Sequence, residues 1–209
     1  KIYNMTTWKD NVWKIIHVFG CTYEPSRELV KEGFKCFMEC LKDILPTDDE
    51  KVILAEFLTE HPLTDYILSD KNEIFKWTYK LHSYNNIIKS RRGKFTNNIS
   101  YEKACEMYDP KVLRKQDWAN PTWYLLHYIT ANVCEPLSNE QKETIKALIV
   151  SLRYLIPCSE CRPHFHHYIQ THEIDSYLRC ERFTHDIVED GKILVHKGTK
   201  KTPFIWTWQ

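Results

Sequence analysis

Trp8-Lys9-Asp10-Asn11-Val12-Trp13-Lys14-Ile15-Ile16-His17 returns further along the chain as Trp118-Ala119-Asn120-Pro121-Thr122-Trp123-Tyr124-Leu125-Leu126-His127. Two Trp and one His keep their spacing at a shift of 110 residues (118 − 8, 123 − 13, 127 − 17). The register then continues at 111: Glu24-Pro25 meets Glu135-Pro136, Leu45-Pro46 meets Ile156-Pro157, His61 meets His172 and Tyr66 meets Tyr177. A fixed period sustained over this length marks a duplicated structural unit. The chain therefore divides into residues 1–110 and 111–209, with the polar stretch Asp109 to Gln116 as the linker between them.

Each copy reads as helices, which makes the fold class all-α. Trp8, Val12, Trp13, Ile16 and His17 recur every three or four residues, and Trp123, Leu126, His127 and Thr130 do the same. A second helix is expected from Ser26, with Val30, Phe34, Phe37, Leu41 and Ile44 as its apolar stripe. Its counterpart opens at Ser138 with Gln141 three residues on, a capping-box pattern, and carries Ile145, Leu148, Leu152 and Leu155. Pro46 and Pro157 stop these long helices, and a short helix follows from Thr47 or Cys158. The first copy adds a helix from about Asn72 through Trp77, Leu81 and Ile88. The second copy carries an insertion in which Ile187 to Val195 reads as a small β-hairpin around Asp190-Gly191; beyond it Trp206-Thr207 echoes Trp77-Thr78.

Composition narrows the function classes. Hydrophobic residues are 43% of the 209 and there are only five Gly, which suits a packed helical core. A formal net charge of +1 gives no footprint for nucleic acid or an acidic membrane surface. No apolar run approaches the roughly 20 residues a membrane span requires.

The copies differ where chemistry is concentrated. Cys158-Ser159-Glu160-Cys161 in the second stands against Thr47-Asp48-Asp49-Glu50 in the first, so only the second holds two thiols at a spacing one helical turn brings together. Just after Pro157, at a helix N-terminus, unpaired amides and the helix dipole favour a thiolate, and such a pair accepts electrons by disulfide exchange. Zinc is the competing reading: His164, His166, His167 and His172 follow closely, and two Cys with two His make a common tetrahedral set. The paired Trp and His also have two readings, as core packing or as a face for an aromatic cofactor. Cys36 and Cys40 lie near an apolar stripe and read as small buried residues.

With these residues in view, the second half resembles the Erv/ALR family of flavin-dependent sulfhydryl oxidases. The likeness rests on Trp118 to His127, on Tyr154-Leu-Ile-Pro-Cys-Ser-Glu-Cys161 with Phe165 four residues later, and on Phe204-Ile-Trp-Thr-Trp208. The first half is similar to the degenerate domain beside the active one in quiescin-type and some viral relatives; its Trp77 to His82 with Asn86 keeps part of the family's His-Asn-x-x-Asn region, with Ser83 replacing the first Asn. The resemblance implies two Erv-like bundles packed as a pseudo-dimer, FAD as cofactor, protein thiols and molecular oxygen as partners, and a homodimer or larger assembly. It implies Cys161 as the flavin-facing thiolate, Cys158 as the sulfur that exchanges with incoming thiols, and Thr122, Trp123, His127 and Trp206 as flavin-lining residues. It also implies a C-terminal flavin helix truncated after Trp208, and no resident metal. A catalytically inactive member of the fold and a zinc-binding interaction module are the alternatives to the oxidase. The compartment stays open among the virion or infected-cell cytoplasm, the secretory pathway and the mitochondrial intermembrane space; a Lys-, Asn- and Ile-rich chain with a degenerate copy points to a viral protein.

Overall fold

A computed structural model describes residues 7–27, 29–132, 137–178, 187–189 and 192–194. The first half contains α1 (Trp8–Cys21), α2 (Val30–Ile44), α3 (Asp48–Glu60), α4 (Asp65–Leu68), α5 (Lys71–Arg91) and α6 (Tyr101–Met107). The second contains α7 (Lys115–Asn132), α8 (Asn139–Leu155), α9 (Cys161–Thr171) and α10 (Ile174–Leu178). α2 stops at Ile44 and α8 at Leu155, α3 at Glu60 and α9 at Thr171, each pair 111 residues apart. Pro46 and Pro157 follow the two long helices and cannot continue them.

Local chemistry sets the starts. Ser138 accepts a hydrogen bond from the Gln141 amide at 3.1 Å, while the Gln141 side chain accepts from the Ser138 amide at 2.9 Å. Thr7 and Asp10 make the same reciprocal box ahead of α1. Two starts differ from the sequence reading. The second helix begins at Val30 rather than Ser26, because Leu29 adopts a left-handed φ of 57° and Arg27 turns back onto the Glu24 carbonyl. The short helix after Pro157 begins at Cys161 rather than Cys158, because the turn around Ser159 and Glu160 precedes it.

Helices pack on their own counterparts: α2 lies along α8, and α1 along α7. On α2, Val30, Phe34, Phe37, Met38 and Leu41 are at most 1% exposed, and α8 answers with Ile145, Leu148, Ile149, Leu152 and Leu155. Burying each such side chain stabilises by about 1.5–3 kcal/mol. One continuous core runs from Val12 to Ile174 through both halves. The contact is close at Gly33, where an added Cβ would sit 2.8 Å from Tyr154 Cβ. Cys36 Sγ lies 3.7 Å from the carbonyl of Ala147, the residue 111 positions on. The remaining long helix, α5, packs on α1, α3 and α4.

The insertion contributes β1 (Ile187–Glu189) and β2 (Lys192–Leu194), paired antiparallel with Ile187 opposite Leu194. The residues joining them lie outside those described, as does Trp206. Among the described residues no helix is long and apolar enough to cross a membrane.

Candidate redox site

Pro157 ends α8 and Cys161 opens α9, so Cys158 and Cys161 sit on the turn between two helices. Their sulfurs are joined in a disulfide with the Cα atoms 5.2 Å apart. The turn is tied from both ends. The Cys161 amide donates to Cys158 Sγ at 3.1 Å and to the Cys158 carbonyl at 3.2 Å, and the Arg162 amide donates to the same carbonyl. The Arg162 guanidinium reaches back to the Ile156 carbonyl at 3.1 Å and the Pro157 carbonyl at 3.5 Å. An amide aimed at Cys158 Sγ, a helix N-terminus and a nearby guanidinium each favour a thiolate once the pair is reduced. Sulfurs bonded to each other cannot act as thiolate ligands, so the zinc reading loses half of its ligand set. Among the described residues no group of three or more His, Cys, Asp or Glu is placed to hold a metal ion.

Cys158 lines an open cleft of about 340 Å³ together with Pro157, Trp118 and residues of the first half. Both half-buried cysteines pack on the main core, as do Trp118 and Trp123 from α7. On α7, Thr122 is 4% exposed and its hydroxyl donates to the Trp118 carbonyl at 2.7 Å. Pro121 lies inside this helix and removes one backbone donor just before Thr122 and Trp123. His127, one turn after Trp123, is half-buried, and desolvation pulls its imidazole below the ordinary value. Cys21, Cys36, Cys40 and Cys105 are free; Cys36 and Cys40 Sγ are 3.9 Å apart, and burial pushes the Cys40 thiol up to about 12.

The same positions in the first half hold different chemistry. Glu50, counterpart of Cys161, is 5% exposed and pairs with Lys89 and, at 2.9 Å, with Lys9. Burial pushes the Glu50 carboxyl up, but hydrogen bonds from the two lysines outweigh it and hold it below the usual carboxylate value. The ring of His82 lies flat on Trp13, with centroids 4.2 Å apart and planes 1° from parallel. His82 Nδ1 also meets His17 Nε2 at 2.9 Å, and Tyr108 closes over His17. Desolvation lowers His17 to about 3 and His82 to about 4, so both imidazoles are neutral. What is left between Trp13 and Glu50 is a cavity of about 20 Å³, the size of a single water and far below a flavin.

Sequence reasoning missed Arg162 and Lys89. Lys89 lies 39 residues from Glu50, and Arg162 acts through carbonyls, so neither role has a local sequence pattern.

Residues 120–189 match the Erv1 / Alr family model. This segment is similar to Erv/ALR domains. The chain is 26% identical over 121 residues to "Probable FAD-linked sulfhydryl oxidase R368" of Acanthamoeba polyphaga mimivirus, covering 57% of this chain and 80% of that protein. It is 33% identical over 72 residues to "FAD-linked sulfhydryl oxidase ERV1" of Arabidopsis thaliana, covering 34% of this chain but only 37% of the plant protein. No solved structure matches. The matched Erv/ALR segment contains Thr122, Trp123, His127, Cys158 and Cys161. Trp123 packs on the same core as the Cys158–Cys161 disulfide, with His127 one turn on along α7, and an indole with an imidazole beside it fits the flavin named in both relatives' descriptions.

Proposed function

We infer that the chain is a thiol oxidase whose working half is residues 111–209, with residues 1–110 as a degenerate partner in an internal pseudo-dimer. The observation that carries the reading is the Cys158–Cys161 disulfide at the head of α9. Its setting in the fold supports the assignment of roles. In the first half, Trp13 and Glu50 line one cavity, so the framework faces these two positions towards a common space. Their counterparts are Trp123 and Cys161. Trp123 would stack on the flavin ring and His127 would hydrogen-bond its edge, with Trp206 as a further wall and Thr122 holding the α7 backbone beside them. FAD held by these residues would supply a two-electron acceptor for the reduced Cys158–Cys161 pair. Cys158, in the open cleft, receives the incoming thiol; Cys161 leaves as a thiolate, held by the amide-rich end of α9. The pairing of α1 with α7 and α2 with α8 supports the pseudo-dimer, because like-with-like contact is what a two-fold interface produces.

The test is spectroscopic. Purified protein should carry a flavin absorption band that dithiothreitol bleaches and air restores. Cys161→Ser should abolish oxygen consumption yet keep the bound flavin, because the sulfur reacts rather than retains the cofactor. A colourless, folded protein sinks the reading.

A further inference from the structure

The cleft at Cys158 is built mostly by residues outside the redox turn. Glu24 follows α1, Lys71 is the first residue of α5, and Arg114 and Lys115 enter α7, so one wall comes from the first repeat and another from the connection between repeats. Its charge is one-sided. Arg114 leans on Asp117 at 3.4 Å and Glu24 is neutralised by Arg27 at 3.3 Å, whereas Lys71 and Lys115, both exposed, make no ion pair among the described residues. Two uncompensated ammonium groups therefore flank an opening that has an exchangeable sulfur on its wall. Low-dielectric walls carrying one sign of charge focus the field and raise the local concentration of counter-charged ligands. An enclosed apolar pocket would suit a buried small molecule. This cleft is open and carries charged residues on several sides, which suits a segment of another protein.

The geometry points to this cleft as the docking site for a cysteine-bearing protein segment with acidic residues beside its thiols, and gives the first repeat the role of forming its wall. The proposal rests on Cys158 as the exchanging sulfur. In the step it serves, the substrate thiolate attacks Cys158 Sγ, a substrate–Cys158 disulfide forms, and the Cys158–Cys161 bond breaks to release Cys161 as a thiolate. A second substrate thiolate then attacks the substrate sulfur of that mixed disulfide. The substrate leaves oxidised by two electrons, Cys158 and Cys161 are left reduced, and the two thiol protons pass to solvent or to the enzyme thiolates.

The experiment needs neither flavin nor oxygen, so failure of the oxidase reading does not blur it. Under argon, two dithiol peptides with the same Cys-x-x-Cys core, one flanked by Asp and Glu and one by Lys, are each mixed with the full chain. Reduction of the Cys158–Cys161 disulfide is followed by quenched alkylation and mass spectrometry. The acidic peptide should react about tenfold faster at low ionic strength, and the ratio should shrink as salt screens the field. In the Lys71→Glu, Lys115→Glu double variant the ratio should fall to about one or invert; being a ratio within one protein, it is insensitive to general damage. Equal rates for the two peptides with the unaltered chain, a ratio indifferent to salt, or an unchanged ratio in the double variant overturns the proposal. Glutathione reacting as fast as the acidic peptide at equal concentration overturns its assignment to a protein segment.

Discussion

Gly33→Ala is expected to destabilise the protein, although helix propensity alone argues the opposite. Gly33 lies inside α2, where Ala is favoured by about 1 kcal/mol. The new methyl, however, would meet Tyr154 Cβ at 2.8 Å, Cδ2 at 3.0 Å and Cγ at 3.2 Å. Carbon atoms rest at about 3.5–4.0 Å, so α2 and α8 must part locally by about 0.7 Å or more. The nearest atom is a Cβ fixed to the backbone, which a rotamer change cannot move away. Overpacking of this kind costs about 1–3 kcal/mol, which exceeds the propensity gain and leaves a net loss of about 1 kcal/mol. For a chain of this size that lowers Tm by about 2–4 °C. Urea unfolding followed by far-UV circular dichroism measures it. A variant as stable as the parent or more so would show that the two helices are not in intimate contact at this point.

Other expectations concern the first half and the helix ends. His17 is held neutral by burial with its pKa lowered to about 3, and His82 beside it to about 4, while both titrate near 6.5 when unfolded. Depressed folded values mean stability that is complete above about pH 6.5 and drains as pH falls towards 3–4, by about 2 kcal/mol for His17 at pH 5 and less for the half-buried His82. Denaturant midpoints at pH 7 and pH 5 should show that loss, and His17→Gln should flatten it; parallel behaviour of the two proteins would remove His17 as its source. Glu50→Gln leaves Lys89 charged and buried and should cost about 3 kcal/mol, with Lys89→Met added to it restoring most of the loss. If the double variant is no better than the single, the ion pair is not the cause. Leu29→Gly should stabilise by about 1 kcal/mol, because Leu29 holds a left-handed φ of 57° with its side chain 44% exposed. Calorimetry decides the sign.

Regular helices were readable from apolar spacing and from caps. Ser138 with Gln141 announced the start of α8, and Pro46 and Pro157 announced two ends, because each acts through neighbours within four residues. The start of α2 was not readable: a left-handed position is usually advertised by Gly or Asn, and here Leu29 occupies it. The Cys158-x-x-Cys161 spacing and its absence at Thr47 and Glu50 are equally plain, so the contrast between the halves is legible in the sequence alone. The setting of Glu50 and His82 in the first half is not. The stacking of His82 on Trp13 joins residues 69 positions apart, and the Lys89 to Glu50 pair joins residues 39 apart. The cleft charges come from three separate helix ends, which no local pattern unites.

Because α2 and α8 lie on one chain, dilution cannot separate them, and the seam between the halves persists at any protein concentration. A two-chain assembly joined by the same helices would lose its partner as it was diluted, together with anything built across the join. Here Lys71 and Cys158 line one opening even in a single molecule in isolation. The tether also breaks the symmetry that two identical chains must obey. Within one chain Glu50 can stand paired with Lys89 while Cys161, 111 residues on, stands bonded to Cys158.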